Sequence, residues 1–122
     1  MTYVYFLRRA RKKYKCSICG QPIPAGALYI YHEGCGMATR FWMVRYRWCI
    51  RCRDDVVRQM LKWNVDKLCG YGAGYVHPKA KPLKTDVRRE LEQVVGKVPQ
   101  EQPPSWAVGW WCKRKILSVA QH

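Results

Sequence analysis

Two pairs of cysteines have the spacing that most clearly indicates chemistry in this chain. Each pair has two residues between its members, one in the stretch 16–19 and the other in the stretch 49–52. A two-residue gap lets both thiolates of a pair reach one ion, and two pairs supply the four sulfurs of a tetrahedral zinc site. Such a closed site leaves no position for a reactive water, so we predict a structural metal. The predicted ligands, with Zn²⁺ as the cofactor, are Cys16, Cys19, Cys49 and Cys52.

Two alternative assignments of the cysteines stay open. In the first, His32 or Cys35 joins the first pair, because their distance along the chain also suits a metal site. The second pair would then form a second site with Cys69 and His77. In the other alternative no metal is bound, and the cysteines are reduced structural thiols or a redox pair. Cys69 and Cys112 are otherwise expected to be small buried side chains, or joined by a disulfide.

The segments that must position the two pairs have the periodicity of a hairpin and a helix. The stretches 27–32 and 41–48 alternate in side-chain type around the glycine-rich link 33–36, which predicts a β-hairpin. Apolar residues at helical spacing predict a helix over 52–68, with Gly70 as its stop. Two acidic residues suit the first turn of that helix, because they complement its dipole.

The rest of the chain contains weaker signals of regular structure. The remaining predicted elements are a strand over 2–7, a helix over 86–95, and a hairpin formed by 106–111 and 115–120. Thr85 is expected to cap this second helix and Gly96 to end it. The stretch 76–84 has two prolines and three lysines, which indicates a linker without regular structure.

The order of knuckle, hairpin and cysteine pair at a helix start resembles a treble-clef or zinc-ribbon-like finger. The resemblance is carried by Lys15-Cys-Ser-Ile-Cys-Gly-Gln-Pro-Ile-Pro-Ala-Gly26 and by Trp48-Cys-Ile-Arg-Cys-Arg53, and it covers about residues 14–68. It implies a small zinc finger, and the second helix and C-terminal β-hairpin predicted above are expected to extend that finger into an α+β fold. The expected organisation is one compact domain, with a basic zinc-finger region, a linker, and a helix plus hairpin packing on the finger. The bounds of these three parts are 1–69, 70–84 and 85–122.

The 122 residues carry a formal charge of +15, from 23 Lys and Arg against 8 Asp and Glu. So large an excess repels itself and is typical of proteins with a polyanionic partner. The charge is concentrated in residues 1–53, which contain eleven Lys or Arg and a single acid, Glu33. Arginine suits phosphate because its planar group binds two oxygens at once. The predicted nucleic-acid-binding residues are Arg8, Arg9, Arg11, Lys12, Lys13, Lys15, Arg45, Arg47, Arg51, Arg53, Arg58, Lys113, Arg114 and Lys115.

The aromatic residues admit two interpretations, because the chain has 6 Trp and 8 Tyr. One set is expected to form a core around the metal site: Trp42, Tyr46, Trp48 and Trp63. Another set is either packed or exposed as platforms on which unpaired bases stack: Tyr29, Tyr31, Tyr71 and Tyr75. This aromatic content excludes a disordered basic tail.

We predict a non-enzymatic, zinc-stabilised nucleic-acid-binding protein, with structured RNA favoured, as in ribosome-associated proteins. The alternatives are a DNA-binding regulator or a viral nucleic-acid-associated protein, and then a protein-interaction adaptor. A treble-clef nuclease needs paired His and acidic groups, whereas the three histidines are far apart in the sequence. The expected partners are RNA or DNA and a protein assembly, without a membrane or a small-molecule substrate. The expected location is intracellular, either cytoplasmic or associated with a virion, because no apolar run approaches 18 residues and no signal peptide is recognisable.

Overall fold

The computed structural model describes residues 2–37 and 40–108. The strands are β1 (Thr2–Arg9), β2 (Tyr14–Lys15), β3 (Pro22–Ile23), β4 (Leu28–Met37), β5 (Phe41–Trp48), β6 (Lys67–Cys69) and β7 (Tyr75–Val76). The helices are α1 (Asp54–Trp63) and α2 (Thr85–Val95), and two short 3-10 turns cover Tyr71–Ala73 and Ser105–Ala107. The α+β class is therefore confirmed. No helix in these described ranges is both long and apolar enough to cross a membrane.

Five strands form an antiparallel sheet in the order β5-β4-β1-β6-β7, while β2 and β3 form a separate two-stranded ribbon. Tyr5 lies opposite His32, and His32 lies opposite Tyr46. Residues opposite each other point to the same side of a sheet, so the register divides the side chains into two faces. The helix-side face carries Tyr3, Tyr5, Leu7, Ile30, His32, Gly34, Gly36, Trp42, Val44, Tyr46, Trp48 and Leu68. The knuckle-side face carries Val4, Phe6, Arg8, Tyr29, Tyr31, Glu33, Cys35, Met43, Arg45 and Arg47.

The main hydrophobic core lies between the helix-side face and the two helices. Helix α1 has an apolar stripe that includes Val57, Met60 and Leu61, all fully buried. These residues belong to one buried cluster with Ile30 and Leu68 of the sheet. The amphipathic periodicity of the sequence thus locates the core-facing side of α1 correctly.

Helix α1 ends earlier than the sequence predicts. Asn64 adopts a left-handed backbone (φ 54°, ψ 49°), which closes the helix, and the chain continues into β6. The Val65 backbone N–H donates to the Met60 carbonyl oxygen at 3.0 Å, as in a helix C-terminal cap. The predicted end at Gly70 was wrong because asparagine, like glycine, tolerates the left-handed conformation.

The glycine-rich stretch 33–36 is part of β4, so its prediction as the hairpin link was wrong. A Cβ atom on Gly34 would lie 2.9 Å from the Tyr3 ring, and one on Gly36 would lie 2.6 Å from the Trp42 ring. These two glycines therefore make room for aromatic rings from neighbouring strands, a common reason for glycine inside a strand.

The second half of the chain differs in detail from the sequence-based expectation. Helix α2 begins at Thr85 itself, without a side-chain capping bond, and it ends at Gly96 (φ 88°) as predicted. The expected linker contains β7, and its side chains Val76 and Ala80 are buried in the main core. The first strand of the expected C-terminal hairpin begins within the 3-10 turn Ser105–Ala107, and residues 109–122 lie outside the described residues.

Candidate functional site

Four cysteines meet at one end of the sheet, as their spacing predicts. Their sulfur atoms all lie within 4.8 Å of one another, in a cluster formed by Cys16, Cys19, Cys49 and Cys52. The Sγ atoms of Cys19 and Cys49 are 3.8 Å apart, so the two pairs contact each other directly. This geometry places four ligands around one point, which suits a single metal ion. Within residues 2–37 and 40–108, no other group of three or more possible ligands is close enough to hold an ion.

The alternative ligands His32 and Cys35 lie elsewhere. His32 is on the helix-side face, where its ring centroid is 4.6 Å from that of Tyr5 and 4.8 Å from that of Trp48. Cys35 is opposite Thr2 at the far end of β4. The structure therefore favours the four-cysteine set over a site that includes either residue.

A short knuckle holds the first cysteine pair. The Cys16 N–H donates to the Gln21 carbonyl at 2.9 Å, and the Gly20 N–H donates to the Cys16 carbonyl at 3.0 Å. Gly20 has a φ of 74°, a conformation that a side chain would strain, so this turn favours glycine. The β2–β3 ribbon pairs Tyr14 with Ile23 and so closes the base of the knuckle.

The second pair lies in the turn between β5 and α1. The N–H groups of Cys52 and Arg53 both donate to the Cys49 carbonyl, at 3.2 and 3.3 Å. The two halves are joined because the Ser17 N–H donates to the Arg47 carbonyl at 2.8 Å, and the Arg47 N–H donates to the Ser17 hydroxyl at 3.2 Å. The four cysteines are therefore positioned by hydrogen bonds within each pair's segment and between the two segments.

The thiols of the cluster differ in their readiness to ionise. Burial opposes ionisation of Cys16, but backbone N–H groups, including those of Ile18 at 3.4 Å and Cys49 at 3.3 Å from its sulfur, lower its pKa to about 6. Burial raises the pKa of Cys49, while hydrogen bonds with the thiols of Cys49 and Cys19 raise the pKa of Cys52 to about 12. The pKa differences mean that Cys16 ionises more readily than Cys49 or Cys52. A bound dication would favour the thiolate form of each.

Two arginines on the knuckle-side face are stacked on aromatic rings. The Cζ atom of Arg8 is 4.1 Å from the Tyr31 centroid and 5.0 Å from that of Phe6. The Cζ atom of Arg47 is 4.2 Å from the Tyr14 centroid, and its Nε is buried without a hydrogen-bond partner. In the described part of the chain, neither guanidinium group forms an ion pair with a carboxylate. The rings orient these two cations while leaving their charge uncompensated.

Other predicted phosphate-binding arginines have carboxylate partners. The ion pairs are Arg9–Glu90 at 2.9 Å, Arg45–Glu33 at 3.4 Å, Arg53–Asp55 at 3.1 Å and Arg58–Asp54 at 3.5 Å. The guanidinium of Arg53 also lies 4.2 Å from the Trp48 centroid, on the helix-side face. The predicted nucleic-acid-binding arginines are therefore divided between the two sides of the sheet.

The remaining predicted basic residues are exposed in the knuckle region or fall outside the described chain. Those that are exposed, and that form no ion pair with a described residue, are Arg11, Lys12, Lys13, Lys15 and Arg51. The third basic cluster, Lys113, Arg114 and Lys115, lies outside the described residues. We use the name basic surface for Arg8 and Arg47 together with these exposed cations, which lie beside the cysteine cluster in the sequence.

The aromatic predictions divide in the same way. Tyr29 and Tyr31 are buried (4% and 6% exposed), so of the two interpretations packing holds for them, whereas Tyr75 is exposed. The side chain of Tyr71 lies outside what the structure describes. Trp48 belongs to the main core, but Tyr46 is 41% exposed and is therefore not a core residue. Sequence reasoning missed the stacking of Arg8 on Tyr31. Its signal is the pairing of alternating Arg and Tyr on two adjacent strands.

Comparisons of this chain with protein-family models, curated proteins and solved structures give no match. Its function must therefore be inferred from the metal cluster and the charged surface beside it. Together they offer a site for one metal ion and a set of cations without carboxylate partners.

Proposed function

We propose that this chain is a non-enzymatic, zinc-stabilised nucleic-acid-binding protein, with RNA as the favoured partner. The observation that carries the proposal is the pair Arg8 and Arg47, stacked on Tyr31 and Tyr14 without carboxylate partners. The pair lies on the face covered by the cysteine knuckle. The cysteine cluster and the basic surface therefore lie next to each other.

Zinc is the metal that best suits the cluster. Four thiolates at tetrahedral positions are a set that zinc takes in structural sites, and soft sulfur ligands disfavour Mg²⁺ and Ca²⁺. The order along the chain is knuckle, β4–β5 hairpin, second cysteine pair and α1, which supports a finger of the treble-clef or zinc-ribbon type. The cluster would carry about two negative charges when bound to zinc, and exposed Lys15 and Arg51 lie beside it in the sequence.

Phosphate is the partner that best suits the basic surface. A guanidinium group stacked on a ring keeps its N–H groups at the ring's edge, where they can donate to two oxygens of one phosphate. The rings also reduce the conformational entropy that Arg8 and Arg47 would lose on binding. The cations at positions 11–15 extend the surface, so a phosphate backbone would meet several charges in series.

The salt dependence of RNA binding tests this proposal. We expect the zinc-loaded protein to bind a structured RNA hairpin with an affinity that falls linearly, on logarithmic axes, as salt rises. Arg8→Gln is expected to weaken binding and to reduce the slope by roughly 0.7 to 0.9 for each phosphate that the variant no longer neutralises. The matched control is Arg58→Gln, which removes an equal charge from an arginine that is already paired with Asp54.

Fluorescence anisotropy with labelled RNA, and with DNA of the same sequence, gives the affinities. The proposal would be abandoned if the parent protein failed to bind either polymer at low salt. It would also be abandoned if Arg8→Gln and Arg58→Gln changed the salt slope equally, because the stacked arginine would then have no special role. Tighter binding to DNA than to RNA would replace RNA by DNA as the partner.

A further inference from the structure

The main core covers only part of the helix-side face. Along β5, Trp48 is 8% exposed and belongs to the core, whereas Tyr46 is 41% exposed. Trp42 on β5 and Tyr3 on β1 are half-buried. The Tyr3 and Tyr46 rings are stacked with that of His32, which is itself buried, and the Trp42 ring contacts that of Tyr3 at a centroid distance of 6.4 Å. We use the name aromatic platform for this end of the face, formed by Tyr3, His32, Trp42 and Tyr46.

Most rings of the platform share one orientation. The Tyr3 and His32 rings are inclined by 7°, and the His32 and Tyr46 rings by 12°, with centroids 5.7 and 6.1 Å apart. The Trp48 ring continues the series, since it is inclined by 9° to that of Tyr46. The rings that β1, β4 and β5 contribute are therefore nearly parallel to one another, with His32 covered by its neighbours and Tyr46 partly exposed. A flat aromatic ligand can extend such a stack in the offset-parallel geometry that aromatic pairs favour.

Two glycines bring the outer rings close to the backbone of the sheet. The carbon positions closest to a Cβ on Gly34 and Gly36 are those of Tyr3 and Trp42, at 2.9 and 2.6 Å. Any larger residue at either position would push the ring away from the strand. The glycines thus let the Tyr3 and Trp42 rings lie close to the backbone of β4, a use of glycine known from strands packed against aromatic rings.

Arginines lie before, on and after β5. Arg40 is exposed just before the strand and forms no ion pair with a described residue. Arg45, with a side chain 61% exposed, is paired with Glu33 on the opposite face of this outer strand, and Arg53, paired with Asp55, lies over the Trp48 ring at its end. Three arginines therefore stand against two carboxylates, and this local charge favours an anionic ligand. A second copy of a chain with charge +15 would be repelled from such a surface.

From these contacts we infer that the aromatic platform binds unpaired nucleobases of a single-stranded nucleic acid by stacking. The inference rests on the proposed function, and it names the form of the nucleic acid: unpaired bases cover the rings while phosphates follow the arginines along β5. Stacking on aromatic side chains tolerates any base, because every base has a π-face. A base-paired duplex hides those faces, so it would use the basic surface alone.

The test compares two exposed apolar residues of one strand. Tyr46 and Met43 are 41% and 47% exposed and lie on opposite faces of β5. We expect Tyr46→Ala to weaken binding of a 12-nucleotide single-stranded RNA about 5- to 100-fold, the range of a lost base–aromatic stack. Met43→Ala should change it less than twofold. Tyr46→Phe should restore the affinity because it restores the ring, and the salt slope should stay that of the parent protein throughout.

The outcomes separate this inference from the proposed function. If neither single-stranded RNA nor its duplex binds at low salt, the proposed function fails. If binding is salt-dependent but Tyr46→Ala behaves like Met43→Ala, or if the duplex competes equally, the stacking inference alone fails. It also fails if Tyr46→Ala changes the oligomeric state or melting temperature instead of the affinity, since the platform would then contact protein. The same oligonucleotide made of DNA shows whether the 2′-hydroxyl contributes to recognition.

Discussion

The two faces of the five-stranded sheet are built from the same strands but are stabilised in different ways. The helix-side face is stabilised by burial of Ile30 and Leu68 under α1, as in an ordinary hydrophobic core. The knuckle-side face has a smaller apolar cluster that includes Ile23 and Tyr31, and its covering segment is closed by cysteines. A short knuckle cannot bury enough apolar surface to order itself. The difference teaches that the possible metal ligands lie on the side of the sheet where burial is insufficient.

Removal of one cysteine is expected to have the largest effect, and on one face only. Cys16→Ser removes one of the four ligands and should abolish stoichiometric zinc binding. The stabilisation lost with the metal is large, because structural zinc contributes about 10 to 16 kcal/mol in isolated fingers. The knuckle should then become sensitive to proteases between residues 14 and 26, while helical circular dichroism persists. The control is Cys35→Ser, whose thiol lies outside the cluster. If Cys16→Ser kept its zinc and melted like the parent protein, the metal assignment would be incorrect.

A cavity in the main core should affect the other face. Leu61 is fully buried in α1, so Leu61→Ala is expected to lower the free energy of unfolding by about 2 to 5 kcal/mol. Denaturant titration measures this loss, and zinc stoichiometry should remain unchanged because the cysteine cluster is in the other apolar cluster. Val94→Ala in α2 is the control, since that side chain is 45% exposed and should change stability by at most about 0.5 kcal/mol. Simultaneous loss of zinc in Leu61→Ala would show that the two faces do not act independently.

Mild acid should give a smaller effect through His32 on the helix-side face. Burial lowers the pKa of His32, and the charge of Arg53 lowers it further, whereas a hydrogen bond with the Val4 backbone opposes the change. The other titratable side chains whose rings contact that of His32 are Tyr3, Tyr5 and Tyr46.

Since the unfolded state takes up a proton first, stability should fall as the pH drops below about 6.5, by at most about 1.4 kcal/mol per pH unit. His32→Phe should reduce this fall, as measured by denaturant titration at pH 7.5 and 5.5. It should not abolish the fall, because burial also lowers the pKa of His77. An identical pH dependence in the parent and His32→Phe would mean that His32 ionises as freely in the folded state as in the unfolded one.

Local patterns predicted the parts of the molecule that depend on neighbours in sequence. The two-residue gaps predicted the cysteine cluster, and alternation predicted the first half of β4 and all of β5. The pattern failed at 33–36, where glycine makes room for rings that come from other strands. The sequence pattern also failed to show which arginines form ion pairs, because partners such as Arg9 and Glu90 are 81 residues apart. Which arginines have carboxylate partners is a property of the folded chain, and so is the division of the predicted basic series between two faces.

The paired bonds between Ser17 and Arg47 have a consequence for solubility. They occupy the outward-facing backbone N–H and C=O of Arg47 on β5, the outer strand of the sheet. An outer strand with open backbone groups is a template on which another chain can add a strand and begin aggregation. The knuckle therefore covers the edge of β5 at Arg47. We expect any treatment that opens the four-cysteine knuckle to expose this edge and to promote aggregation.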